Sequence, residues 1–238
     1  MIMQQLSKTK AVLYHIYPGI IITACFAVLT PFFLNYQLPP QFSILIAIGI
    51  VAIPLLLLHL NKTKKDEHKN HLTETNGYPN KLPTGKLILY IAGLVVFMFL
   101  IWGVTQPLNV IITQKLFSWL PSWYTVQDFS GYSKQAILIT LVLNLLLNGF
   151  FAPIVEEYYF RGYLLPRMAA WGKWAFVVNA ILFSFYHFWQ PYVYLTLLIA
   201  LLPLSWAVWK TKDIRVAIYT HCALNIIGAL ASFGLLLK

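Results

Sequence analysis

Seven stretches of this sequence, at 11–35, 42–60, 86–105, 135–167, 173–189, 192–209 and 214–237, run for about twenty residues or more with few or no charges. A run of about 20 apolar residues spans a hydrocarbon core, and inside that core every backbone N–H and C=O must be paired within the chain. Each run is therefore read as a helix, and the chain as an all-α, polytopic transmembrane helix bundle of about seven spans. Charged residues make up 10% of the chain, against about a quarter in soluble domains, which excludes a pair of soluble domains. The opening MIMQQLSKTK leads into an apolar run that outlasts a signal-peptide core, so it is expected to remain as the first span.

The formal net charge is +10, yet the lysines sit at the ends of apolar runs and build no continuous basic face. Nucleic acid is therefore not an expected partner; the lipid bilayer is. Lys8 and Lys10, the lysine-rich stretch after the second span, Arg161 with Arg167 and Lys173, and Lys210 with Lys212 and Arg215 fall on one side of a seven-span chain, leaving Lys115 and Lys134 opposite. The positive-inside bias then predicts a multi-pass protein of the cell membrane with a cytoplasmic N-terminus. Cys25 and Cys222 lie within apolar runs, and no disulfide framework is expected.

Two segments break the pattern of spans. Residues 61–85 are polar and are read as a solvated loop; His68 and His71 within it have a spacing a metal could use, but such a charged stretch is ordinarily just solvated. Residues 107–121 place Leu108, Ile111, Ile112, Leu116, Trp119 and Leu120 near one side at helical spacing. That suggests a helix lying at the interface, with Trp119 and Trp123 at headgroup level; an eighth span results if it inserts. The chain divides accordingly into N-terminal spans (1–134) and a C-terminal helix bundle (135–238) that carries the chemistry.

Glu156 and Glu157 are the only acids inside any run, and charge at membrane depth is usually functional. Residues four apart share a helix face, so Glu157 can pair with Arg161 while Glu156 turns elsewhere. Asn144 and Asn148 extend a polar stripe toward Glu156. Asn179, Phe183 and His187 repeat the design on the next run, and His221 and Asn225 sit one turn apart on the last. His15 and His59, near span ends, are read as satisfied core histidines. At about 1.5 Å per residue, Glu156, His187 and His221 fall roughly 16, 21 and 12 Å from the lysine-rich side, near the middle of a hydrocarbon core about 30 Å thick. Three helices can thus bring Glu, His, His and Asn together.

EExxxR at Glu156, Glu157 and Arg161, FxxxH at Phe183 and His187, and HxxxN at His221 and Asn225, in this order, resemble the three motifs of the CPBP family. That family comprises the CAAX proteases and bacteriocin-processing (Abi) proteins, including the type II CAAX prenyl endopeptidases. The resemblance covers roughly 150–226 and implies a glutamate-type intramembrane endopeptidase, a hydrolase acting on a membrane-associated peptide or protein. By it, Glu156 and His187 position and deprotonate a water, His221 and Asn225 stabilise the oxyanion, and Glu157, Arg161 and Phe183 support the site. It implies no cofactor, and the site cavity is expected to open toward the cytoplasmic side. A desolvated carboxylate is a useful base, and preorganised donors in a dry site stabilise developing negative charge.

The same residue types also serve other classes of protein. Two Glu and two His could ligate zinc, although no HExxH helix exists and Asn225 stands where a ligand would serve better. Cys222 beside His221 is a weaker nucleophile candidate, because sequence neighbours diverge on a helix. A non-catalytic bacteriocin immunity or membrane scaffold protein, or a transporter using the carboxylates as a proton relay, would also retain intramembrane charge.

Overall fold

The structure, a computed structural model, describes residues 3–237 and is built of seven principal helices. Six are long and apolar enough to cross a membrane: α1 (Lys8–Asn35), α2 (Pro40–Asp66), α3 (Thr84–Leu116), α4 (Lys134–Arg167), α6 (Pro191–Thr211) and α7 (Arg215–Leu237). The remaining one, α5 (Ala175–Tyr186), has 12 residues, covering about 18 Å at the α-helical rise. The fifth span read from the sequence, 173–189, is thus a shorter helix that stops just before His187. Large apolar side chains such as Leu13, Val28, Val96 and Val104 stay exposed on the outer faces, as expected where lipid is the solvent.

Prolines shape this bundle more than helix propensity does. Among the described residues three π turns interrupt α2 and α4, at Ile48–Ala52, Asn144–Phe151 and Tyr158–Leu164. Each is followed two residues later by a proline: Pro54, Pro153 and Pro166. Proline has no N–H to give and its ring would strike the carbonyl four residues back, so a widened turn relieves the clash. The carbonyls left without a helical donor then recruit donors from elsewhere. Gly77 N–H donates to the Gly162 carbonyl at 2.9 Å, and the Asn225 amide donates to the Asn148 carbonyl at 2.8 Å.

Residues 67–83 are not simply a solvated loop; they strap across the lysine-rich end of the bundle. Arg167, fully buried, makes a two-pronged ion pair with Glu67 (2.9 Å to each oxygen) and donates to the Thr75 and Tyr163 carbonyls. The Asp213 carboxylate accepts from the Leu82 N–H at 2.7 Å and pairs with Arg215, also at 2.7 Å. Composition alone reads such a stretch as solvated because its charges find their partners about a hundred residues away.

Burial by itself would raise the Glu67 carboxyl, but hydrogen bonds from Lys69 and Arg167 outweigh it and hold it below the usual carboxylate range; bonds from Arg215 and the Leu82 N–H do the same for Asp213. A depressed carboxyl lends stability that is complete above its unfolded value of about 4 and is lost as pH falls through the folded one. The thermal unfolding midpoint in detergent is therefore expected to be flat from neutral pH to about 5 and to fall steeply below that. Glu67→Gln is expected to cost about 2 kcal/mol at neutral pH and to flatten the acid limb; an unchanged acid limb would show that the strap does not govern it.

The segment 107–121 is also corrected: it forms no separate interfacial helix up to Leu116, because α3 continues unbroken through Pro107. Continuing the helix keeps the neighbouring backbone groups paired where no water is at hand. Tertiary contacts hold this part upright: Thr196 on α6 donates to Asn109 Oδ1 at 2.9 Å and lies 2.7 Å from the Thr105 hydroxyl.

At the opposite end, the connection between α3 and α4 folds inward. Tyr124 packs edge-on against Phe26 and donates to the Phe188 carbonyl at 3.0 Å. α1 meets the end of α5 so closely that a Cβ at Gly19 would overlap the Tyr186 carbonyl. Gly19→Ala is expected to lower stability by up to about 3 kcal/mol. Gly93→Ala on the outer face of α3, where nothing lies within 4 Å, is expected to be neutral or mildly stabilising in the same thermal unfolding assay.

Candidate active site

Glu156 and Glu157 lie at the end of the α-helical piece Ala152–Glu157, between the two π turns of α4. Both are buried, and they face different partners. Glu157 Oε1 accepts from Arg161 Nη1 at 3.1 Å, the pairing expected from the four-residue spacing, and from His221 Nδ1 at 2.8 Å. The Arg161 guanidinium lies over the Phe183 ring, 3.9 Å from its centroid, which gives this fully buried cation a favourable face. Glu156 takes no part in this pairing. Its Oε1 accepts one hydrogen bond, from the Tyr186 hydroxyl at 3.0 Å.

The two histidines are each oriented through one nitrogen. His187 caps the end of α5, and its Nδ1 donates to the Phe183 carbonyl at 2.9 Å. A carbonyl only accepts, so Nδ1 carries the proton and Nε2 is the nitrogen left for the cavity that His187 lines. His221 is likewise held through Nδ1 by the Glu157 carboxylate, and it lines the same cavity. A carboxylate behind an imidazole fixes its tautomer and ring orientation, and it can balance a second proton on the ring.

The cavity has a volume of about 470 Å³. Glu156, His187, His221 and Asn225 converge on it together with Asn144 and Asn148, so three helices do bring together the residues the sequence singles out. Its walls are apolar, with Leu45 and Ile48 from α2, Met98 and Trp102 from α3, and Leu201 and Leu204 from α6. Its lining continues to Gln41, Gln127, Gln190, Ser232 and Leu235, all at the lysine-poor ends of their segments. The expected opening toward the lysine-rich side is therefore corrected: no residue of the 67–83 strap lines this cavity. Fully buried Tyr159, Phe160 and Phe183 pack on the lysine-rich side of Glu156.

Asn179 does not line the cavity; its amide donates to the Phe160 carbonyl and to His15 Nε2, both at 2.9 Å, and accepts from Ser205. His15 is thereby a satisfied core histidine, as read, whereas His59 is only half-buried, though satisfied by the hydroxyls of Tyr17 and Tyr159. Cys222 lies with its Sγ 4.0 Å from the Phe150 carbonyl and does not line the cavity. Tyr186 escapes the sequence reading because its ring sits among Phe160, Phe183 and Trp189 and looks like core. Only the requirement that a buried phenol find a partner would have flagged it. Among the described residues, no three His, Cys, Asp or Glu side chains converge as metal ligands.

No curated protein and no solved structure matches the chain. Residues 138–227 match the family model described as type II CAAX prenyl endopeptidase Rce1-like, and this interval contains Glu156, Glu157, Arg161, Phe183, His187, His221 and Asn225. Over residues 138–227, this multi-pass membrane chain is therefore similar to the CAAX-type membrane endopeptidases.

Proposed function

We propose that the protein is a glutamate-type intramembrane endopeptidase that hydrolyses a peptide bond in a membrane-associated peptide or protein. The observation that carries this reading is the division of labour between the two adjacent acids. Glu157 is consumed by Arg161 and His221, while Glu156 lines the cavity with only a neutral phenol on it.

In the proposed reaction, a water held between the Glu156 carboxylate and His187 Nε2 gives a proton to Glu156 as its oxygen bonds to the scissile carbonyl carbon. The carbonyl oxygen becomes an oxyanion. His221, carrying both ring protons against the Glu157 carboxylate, donates to it from Nε2. Asn225 is anchored by its bond to the Asn148 carbonyl, and its second amide proton has only a 3.4 Å contact with Asn148 Oδ1. An oxyanion can displace that weak contact. Collapse of the tetrahedral carbon breaks the C–N bond, and Glu156 returns its proton to the leaving nitrogen. One water is consumed, and one new carboxyl and one new amine terminus result.

By the same reading the lysine-rich end faces the cytoplasm. The test is cleavage of a membrane-associated peptide library by purified protein in lipid, comparing wild type with Glu156→Ala and His221→Ala, with and without a chelator. New termini that disappear in both folded variants and ignore the chelator are expected. Chelator-sensitive cleavage would favour a zinc enzyme, and binding without any cleavage would favour an immunity or scaffold protein.

A further inference from the structure

The chain's charges and its cavity point to opposite sides of the membrane. Most of the Lys and Arg lie at the start of α1, or in the α2–α3, α4–α5 and α6–α7 connections and the helix ends that flank them. They meet at one end, where Leu6 N–H donates to the Arg167 carbonyl, Arg167 pairs with Glu67, and Asn80 reaches Thr211. The cavity is closed off from that end. Its lining rises from His221 and Glu156 to Gln41 at the start of α2, Gln127 in the α3–α4 connection, Gln190 before α6 and Ser232 near the end of α7.

We infer that the substrate reaches Glu156 from the lysine-poor, extracytoplasmic side, and that it is an uncharged, extended peptide segment rather than a cytoplasmic tail. This rests on the proposed protease reading for its chemistry and on the positive-inside bias for its orientation. The lining supports the choice of ligand. Gln41, Gln127 and Gln190 each offer a neutral donor and a neutral acceptor, the complement of a peptide backbone. None of the residues lining the cavity above Glu156 and His221 is a cation or an anion, so nothing there would compensate a charged headgroup or a charged chain terminus. The apolar walls at Met98, Trp102 and Leu201 suit the side chains of such a segment.

Impermeant labelling reads the geometry without requiring activity. In a background carrying Cys25→Ser and Cys222→Ser, single cysteines are placed at the cavity mouth (Gln127→Cys and, separately, Ser232→Cys) and at the lysine-rich end (Lys65→Cys). Intact cells are treated with a sulfonated maleimide before and after lysis. The expected result is labelling of both mouth positions before lysis and of Lys65→Cys only after it. Labelling of Lys65→Cys alone in intact cells would overturn the orientation and return the site to a cytoplasmic substrate. Mouth cysteines that stay unlabelled before and after lysis would overturn the opening itself.

A second arm places a neutral peptide library outside sealed right-side-out vesicles and, separately, outside inverted ones. Cleavage confined to right-side-out vesicles and lost in Glu156→Ala is expected; cleavage confined to inverted vesicles overturns the inference. If no peptide is cut in either, the protease reading fails, while the labelling arm still decides from which side the cavity is reached.

Discussion

Glu156→Gln is expected to leave the protein folded and able to bind its peptide while cleavage falls by roughly 10²–10⁴-fold, the usual worth of a positioned general base. The substitution keeps size and shape, and an amide oxygen can still accept from the Tyr186 hydroxyl that bonds Glu156 at 3.0 Å. What is lost is the ability to take a proton from water and hand it to the leaving nitrogen. The loss should therefore appear in kcat with KM nearly unchanged. Tyr186→Phe provides the graded comparison. Its ring packing against Phe183 and Trp189 is retained, and only the hydroxyl that orients the carboxylate is removed, so kcat is expected to drop about tenfold, the equivalent of one hydrogen bond. Single-turnover cleavage by both variants, normalised to their thermal unfolding midpoints, is the measurement. A Glu156→Gln protein that cuts at the wild-type rate would remove the base from the mechanism altogether.

The largest stability effect is expected at the neighbouring acid's partner. Arg161 and Glu157 are both fully buried and 3.1 Å apart. Removing one member of a buried pair strands the other's charge, at a cost of about 3–5 kcal/mol. Arg161→Met is therefore expected to lower the unfolding midpoint sharply, because Glu157 then keeps only His221 as a partner. Adding Glu157→Gln to it is expected to recover much of the loss, since the stranded charge disappears and a neutral hydrogen-bonding group remains for His221. Thermal unfolding in one detergent across the single and double variants gives the comparison directly. If the single change costs less than about 1 kcal/mol, the pair is not dry, and the picture of a sealed site floor is wrong.

Much of this protein follows from its sequence because lipid leaves the backbone so little choice. The spans come from run length alone, and the Glu157–Arg161 pair comes from a four-residue spacing within one helix; both are local properties. The same local logic fails where the helical period itself changes. Pro153 and Pro166 impose π turns on either side of the two glutamates, so a regular 100° step no longer says which face a distant residue shares. Asn179 lies on the helix that His187 caps, yet it turns to His15 and Ser205 on other helices.

The remaining decisions are contacts between segments far apart in the chain. That His221 is held by Glu157, that Tyr186 orients Glu156, and that residues 67–83 close the lysine-rich end all depend on separations of 30 to 100 residues. The side toward which the cavity opens depends on how the helices pack. Sequence periodicity determined which residues this bundle turns inward; only the packing of one helix against another, where buried polar groups must find partners, decided which of them meet and from which side they are reached.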